Sequence, residues 1–273
     1  MRKFKRNPSP PIPVVIAEYP DLTEIKVLPL GDPHWDAFST KKELFAKKIR
    51  ECIDSNTQII IMGDMVDKLF FNSLIRNEQD ATLNETLEVL SRILEPAKEQ
   101  ILCLVEGNHD RGIEKRTGFS IIDAIALRIE APVIRGQGII HIRVGNANNT
   151  THSKNKRMYS YAGLVTHGWG GGRTAGGKIN KVLSLSNFWH DLDFFVIGHV
   201  HDSKNIPKKI FWYDKRNESI SSKHVRHIIT SSFTDYPMYA QQKGYPPGAT
   251  MEYVMHLSGI KNNIWIDEHE MEE

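Results

Sequence analysis

Apolar and polar positions follow two rhythms along this chain, and the rhythm changes near its middle. In the first half, short apolar-rich runs at Glu24–Leu30, Gln58–Met62 and Ile101–Val105 read as buried strands. Stretches with helical spacing come between and after them. Leu44, Phe45, Ile49, Cys52 and Ile53 share one helical face, behind a capping box that Thr40 and Glu43 would form. Leu83, Leu87, Leu90, Ile93 and Leu94 make a second stripe, which Asp80 can cap and Pro96 helps to stop. A further helix is predicted over Ser120–Arg128. Strand, loop and helix thus recur three times, the pattern of an α/β sheet whose ligands collect beyond the carboxyl ends of its strands.

The second half is built from short strands with alternating patterns. They are predicted at Ile139–Val144, Met158–Val165, Phe194–Ile197, Ile206–Trp212, Val225–Thr230 and Glu252–His256, with one helix near Asn180–Phe188. Gly145–Asn155 is polar and rich in Asn and Thr, so it reads as a long loop or hairpin tip. The proline-rich residues 1–20 are expected to form a loosely held arm, and residues 21–273 one domain with two sheets between helices.

Composition changes this picture little. At 273 residues and 40% hydrophobic the chain can bury a sizeable core, and a net charge of +2 gives no bulk reason to expect a nucleic-acid or membrane partner. Cys52 and Cys103 sit in apolar patterns and read as buried thiols of a reducing compartment. No apolar run is long enough to span a bilayer. The basic start is broken by Pro8, Pro10, Pro11 and Pro13 where a signal peptide would be apolar. The expectation is a soluble cytoplasmic protein.

The candidate chemistry lies in five motifs, each set after a short apolar run. In order they are Gly31-Asp32-Pro33-His34, Gly63-Asp64-Met65-Val66-Asp67, Gly107-Asn108-His109-Asp110, Thr166-His167-Gly168 and Gly198-His199-Val200-His201. Asp32, His34, Asp64, Asn108, His167, His199 and His201 are all ligand types. One metal needs four to six donors, so seven suggest two metals sharing a bridging carboxylate. Two metals about 3.5–4 Å apart form the clamp that activates a water and stabilises the leaving oxygen in phosphoester hydrolysis. Mixed nitrogen and oxygen donors favour Mn, Fe, Zn or Co over Mg or Ca. Asp32 and His34 lie two apart, as do His199 and His201, so each pair would share a face at a strand end. Any one motif is weak evidence, because Gly and Asp are ordinary turn residues. All five in order are far more specific.

The set resembles the calcineurin-like metallophosphoesterase superfamily, and the match runs from Asp32 to His201 without missing a position. That resemblance implies a four-layer α/β/β/α sandwich and a dinuclear centre. Asp32, His34, Asp64 and His201 would hold one metal, Asp64 would bridge, and Asn108, His167 and His199 would hold the other. It also implies that His109 is no ligand but sits beside the scissile phosphate, as general acid or phosphate donor. Asp67 or Asp110 would accept its other ring hydrogen, the superfamily's phosphatases using the position of Asp67. No serine or cysteine nucleophile is needed.

Lys68 stands where the superfamily's Ser/Thr protein phosphatases carry arginine, followed by Leu69 where they have glycine, and the third motif ends in Asp110 where they have glutamate. These departures point to the phosphodiesterase and repair-exonuclease branch. Lys68, Arg111 and Arg173 are basic residues near the motifs, and Trp35 and Trp169 follow presumed ligands; all five are candidates for substrate contact. Gly172 to Lys178 imitates a P-loop, but Ile179 replaces its hydroxyl residue. A mobile glycine-rich loop is the better reading, with Arg173 and Lys178 in reach of a phosphate. The expected activity is hydrolysis of phosphodiesters, with nucleic acid or nucleotides as substrate and Mn as the leading metal. The alternatives are a small-molecule phosphomonoesterase or cyclic-nucleotide phosphodiesterase, and a metal-binding interaction module without turnover. Much of the chain after His201 must complete the second sheet, which leaves nucleic-acid handling to loops such as Gly145–Arg157 or to a partner.

Overall fold

A computed structural model describes residues 2–6, 11–67, 81–146, 157–170, 174–235, 244 and 250–271. Its strands are β1 (Arg2–Arg6), β2 (Pro13–Pro20), β3 (Glu24–Leu30), β4 (Gln58–Ile61), β5 (Ile101–Val105), β6 (Val133–Ile134), β7 (Gln137–Asn146), β8 (Arg157–Thr166), β9 (Phe194–Ile197), β10 (Lys204–Asp214), β11 (Ser219–Ile229), β12 (Met251–Ser258) and β13 (Ile264–Glu270). Its α-helices are α1 (Lys42–Asp54), α2 (Leu83–Leu94), α3 (Asn108–Thr117), α4 (Ile121–Ile129) and α5 (Ala175–Phe188).

The strands form two mixed sheets. One has the order β13-β12-β3-β4-β5-β6 and the other β1-β2-β7-β8-β9-β11-β10. The continuous apolar runs occupy the centre of the first, where β3, β4, β5 and β6 pair in parallel. A strand buried on both faces needs apolar residues at every position, which is why these segments lack alternation. Three apolar layers separate the elements. Leu44, Phe45, Leu90 and Ile125 of the helices pack on Leu28, Ile61 and Leu104 of the first sheet. Val27, Ile60 and Cys103 on its other face meet Val15, Ile142 and Phe194 of the second sheet. Beyond that sheet, Val182 and Leu185 of α5 cover Phe195, Val225 and Ile229. This is the four-layer α/β/β/α arrangement that the resemblance implies.

Several local expectations are corrected. The loosely held arm is not observed over Pro13–Pro20: β2 pairs in parallel with β7 from Val14 to Pro20, and Val15 and Ala17 are buried between the sheets. Alternating apolar residues after Pro13 carried that signal, but the proline count masked it. The Thr40–Glu43 capping box is not formed either; the Thr40 hydroxyl donates to the His34 carbonyl at 2.5 Å. Asp80 lies outside the described residues, and Thr82 caps α2, accepting from the Glu85 amide while the Glu85 carboxylate accepts from the Thr82 amide. Helix α5 starts five residues earlier than its apolar spacing indicated, because Gly176 and Gly177 fill its first turn. The predicted loop Gly145–Asn155 lies largely outside the described residues. No described helix is long and apolar enough to cross a membrane.

Candidate metal centre

The five motif segments meet where β3, β4, β5, β8 and β9 end. The first two are zipped together by backbone hydrogen bonds, His34 N–H to the Asp64 carbonyl at 2.9 Å and Trp35 N–H to the Met65 carbonyl at 3.0 Å. The fifth is tied to the fourth by the Gly198 N–H to the His167 carbonyl, and to the first by the His199 N–H to Asp32 Oδ2 at 2.9 Å. Close approach excludes side chains at key glycines. A Cβ on Gly107 would lie 2.0 Å from Asp64 Oδ1, and one on Gly63, whose φ is +98°, would meet the His167 ring and the Gly107 backbone. His34, Asp64, His199 and His201 all adopt positive φ, between 44° and 66°. Left-handed backbone at non-glycine residues costs free energy and persists only where the surroundings over-determine it.

Two ligand-type clusters result. Asp32, His34 and His201 each offer an atom within 4.8 Å of the others, and so do Asp64, His167 and His199. In the first, His34 Nε2 faces His201 Nε2 at 3.3 Å, and His201 Nε2 lies 2.8 Å from Asp32 Oδ2. In the second, His167 Nε2 lies 3.1 Å from Asp64 Oδ2 and 3.0 Å from Asn108 Oδ1. Asp64 Oδ2 is also 3.9 Å from His34 Nε2, so one carboxylate oxygen faces both clusters.

The hydrogen-bonding around these groups fits a cation. His167 Nδ1 is 2.7 Å from the Met62 carbonyl and His34 Nδ1 is 3.0 Å from Asp67 Oδ1. Each ring thereby turns Nδ1 toward an oxygen outside the cluster and Nε2 toward the cluster, the orientation of metal-ligating histidines. Asp32 Oδ1 is buried with no hydrogen-bond partner among the described residues, the signature of a carboxylate waiting for a positive charge. The titrations carry the same message. Burial by itself would lower the His167 imidazole, but Asp64 and Asp32 outweigh it and hold the ring up at about 10. His34 is likewise lowered by burial yet raised overall to about 9 by its hydrogen bond to Asp67 and by the three carboxylates. Burial would raise Asp64, but His167, His109 and His34 hold it well below the usual carboxylate range. His199 is pushed down to about 4 by burial and by His167. Buried carboxylates and imidazoles are packed together here, a donor set that suits a divalent cation.

His109 occupies the first turn of α3, a helix the sequence pattern did not indicate, with its N–H donated to Asp64 Oδ1 at 2.9 Å. Its Nδ1 lies 3.5 Å from Asp67 Oδ1 and its Nε2 lies 4.0 Å from Asp64 Oδ2. The same Asp67 oxygen therefore faces both His34 and His109, and these three also form a ligand-type group of their own. Asp110 is placed elsewhere. Its Oδ1 accepts the Met65 N–H at 3.1 Å and its Oδ2 the Gly107 N–H at 3.0 Å, so it clasps the second and third motifs together. Burial and the Asp64 charge raise its carboxyl to about 7. Between the two candidates for orienting His109, the geometry favours Asp67.

The substrate-contact candidates divide. Trp35 is a correction: it is buried against Phe45, with ring centroids 6.1 Å apart, and belongs to the core. Trp169 is exposed next to the His167 segment, and Arg111 is exposed on α3. Lys68 and Arg173 lie outside the described residues. Lys178 is buried and 3.5 Å from Asp202, so it braces the His201 segment and does not face solvent. Asp36 and Ser232 escaped the sequence reading. Asp36 is fully buried and its Oδ1 accepts the Asp67 N–H at 2.5 Å. The Ser232 hydroxyl and the Phe233 N–H both donate to the Asp32 carbonyl at 3.1 Å, from a segment with no motif. Asp36 could have been suspected from its spacing after His34; nothing marked Ser232.

No protein-family model matches the sequence and no curated relative does. Solved structures with a similar backbone include YfcE, a phosphoesterase from E. coli, at 14% identity over 91% of this chain and 100% of that one, with a TM-score of 0.41. A predicted phosphoesterase from Streptococcus pneumoniae is similar at 10% identity over 92% of each chain, with a TM-score of 0.40. Vps29 of Entamoeba histolytica, solved with zinc, is similar at 12% identity over 91% of this chain and 100% of that one, with a TM-score of 0.35. Likeness at this level carries little weight beside the residues themselves. The five motifs, in unbroken order and converging on two clusters at the ends of strands in a four-layer sandwich, resemble the pattern of the calcineurin-like metallophosphoesterase superfamily.

Proposed function

We propose that this protein is a metal-dependent phosphodiesterase with a dinuclear centre, acting on nucleic-acid or nucleotide phosphodiesters. The observation that carries the reading is Asp64 Oδ2, set 3.1 Å from His167 Nε2 and 3.9 Å from His34 Nε2 between the two clusters. Asp32, His34, Asp64 and His201 would hold one divalent cation, and Asp64, Asn108, His167 and His199 would hold the other, Mn²⁺ suiting the mixed nitrogen and oxygen donors. When bound, such a pair supplies an activated water and neutralises charge on the phosphoryl oxygens.

The remaining groups act on substrate. His109 is side-chain exposed by 21% and so reaches the phosphate from the open side of the centre. Asp67 fixes its Nδ1, so Nε2 presents a proton to the leaving oxygen. Trp169 offers an exposed ring beside the fourth motif. The alkoxide expelled from a nucleic-acid diester is a poorer leaving group than an activated aryl oxide, and that is where a positioned imidazole counts most.

Hydrolysis of bis(4-nitrophenyl) phosphate, 4-nitrophenyl phosphate and labelled single- and double-stranded DNA, each with and without Mn²⁺, tests the reading. Mn²⁺-dependent cleavage of diesters is expected. Bound metal with no turnover of any of them would leave a metal-binding interaction module, and monoester turnover alone would leave a small-molecule phosphatase.

A further inference from the structure

At the far end of the second sheet, β10 and β11 run on past their neighbour. Their antiparallel register extends from Lys204↔Ile229 to Asp214↔Ser219, whereas β9 pairs only with Arg226–Ile229. The outer part, from Lys209↔His224 to the turn, is a two-stranded ribbon. Such a ribbon alone is marginal in water, and this one leaves large apolar groups exposed. Phe211 is 62% exposed, Tyr213 59% and Ile220 75%. Side chains alternate along a strand, so Phe211 and Tyr213 share one face, with Ile220 directly across from Tyr213. Two rings at i and i+2 stand about 7 Å apart. Trp212, 46% exposed, lies on the reverse face.

The charge around these rings selects the occupant. Lys209 places its ammonium 5.0 Å from the Phe211 centroid, and Lys215 and Arg216 lie in the turn that closes the ribbon, while Lys208 is on the reverse face with its Nζ donating to Ser186 Oγ. Against them stand Asp214 and Glu218. The Asp214 carboxylate is turned into the hairpin, accepting from the Arg216 and Asn217 amides and from Asn217 Nδ2. Pairing with a second copy would set cations against cations. A polyanion with stackable rings is matched instead, and the rings require bases that are not already stacked in a duplex.

We infer that the β10–β11 ribbon is a binding platform for single-stranded nucleic acid, separate from the metal centre. The inference rests on the proposed phosphodiesterase reading only in so far as it names the polymer delivered to that site. Strands β9 and β11 run in parallel toward the motif end, so the ribbon points away from it. Phe211 lies seven residues, or about 23 Å, along β10 from Lys204. The platform therefore grips a part of the strand remote from the scissile bond, and long substrates benefit where small diesters do not.

The test is fluorescence anisotropy of a labelled single strand of about 16 nucleotides with the full chain, wild type against Phe211→Ala/Tyr213→Ala and against Lys209→Glu, alongside turnover of bis(4-nitrophenyl) phosphate. The double variant is expected to lose at least about tenfold in affinity, Lys209→Glu to weaken binding most at low salt, and both to keep wild-type turnover of the small diester. Unchanged affinity in both variants overturns the platform. So does a loss of self-association, or of binding to anionic phosphatidylserine vesicles, with oligonucleotide affinity intact. A wild-type chain that binds the strand through the ribbon but cleaves no phosphodiester would sink the proposed activity and leave the platform standing.

Discussion

The two ends of the second sheet solve opposite problems. At the motif end, charged and polar groups are buried: Asp32, His34, Asp64 and His167 are each at most 4% exposed, and the backbone of His34, Asp64, His199 and His201 is held in left-handed conformations. At the ribbon end, apolar groups are exposed on regular extended backbone. Buried charge is tolerated only when another group answers it, so the motif end is dense with contacts that cross between loops. Exposed rings need no such support, and the described polar contacts that tie the ribbon to other segments run through Lys223 to Asp191 and Asp193, not through the rings. The difference separates the two proposed roles: strain and burial gather at the candidate metal centre, whereas surface rings gather at the proposed binding ribbon.

The comparison breaks most visibly at Asp64. Asp64→Ala removes the oxygen facing both clusters and the acceptor of the His109 N–H. Turnover should fall by more than about 10³-fold, and bound metal, read by elemental analysis of the dialysed protein, should drop below the wild-type content. Full metal content with wild-type rate would deny Asp64 a bridging place.

Next comes His109→Ala. A general acid contributes roughly 10²–10⁴-fold, so kcat for a diester with a poor leaving group should fall by that order while metal content stays at the wild-type level. A parallel loss of metal would instead make His109 a ligand.

Burial sharpens the contrast between the two tryptophans. Trp35→Ala should cost about 3–5 kcal/mol of stability in urea unfolding, because it empties a packed site beside Phe45. Trp169→Ala should stay within about 0.5 kcal/mol, and its effect should appear in KM for oligonucleotides.

The smallest effect is a pH dependence at His227. This fully buried ring stacks on Phe195 at 5.1 Å, and burial first, with Lys208, lowers it from 6.5 to about 4. The unfolded chain therefore binds the proton between pH 4 and 6.5 while the folded chain does not. Stability should rise with pH through that window and be lost as pH falls, by up to about 1.4 kcal/mol per unit. Wild type and His227→Leu, unfolded in urea at pH 5 and pH 7, would differ in that slope; equal slopes would show that His227 does not titrate there.

How much of this was legible beforehand follows from range. Strands β3, β4, β5 and β9 and the stripe of α2 could be read because burial writes itself into local spacing. Helix α3 could not, since its first turn is made of motif residues chosen for chemistry, and β2 was hidden by the prolines beside it. The same limit applies at the site. Ligand types and their order are local, and the resemblance they carry is local. The clasping role of Asp110, the sharing of Asp67 by His34 and His109, the core position of Trp35 and the support from Ser232 all depend on segments far apart in the chain.

By itself, then, the sequence determined the α/β class, the set of ligand-type residues and the chemistry they suit, because spacing and side-chain type are properties of neighbours along the chain. Only the tertiary structure decided which oxygen faces which nitrogen, which aromatic rings reach water, and that β10 and β11 outrun their sheet. Those are distances between segments, and packing alone sets them.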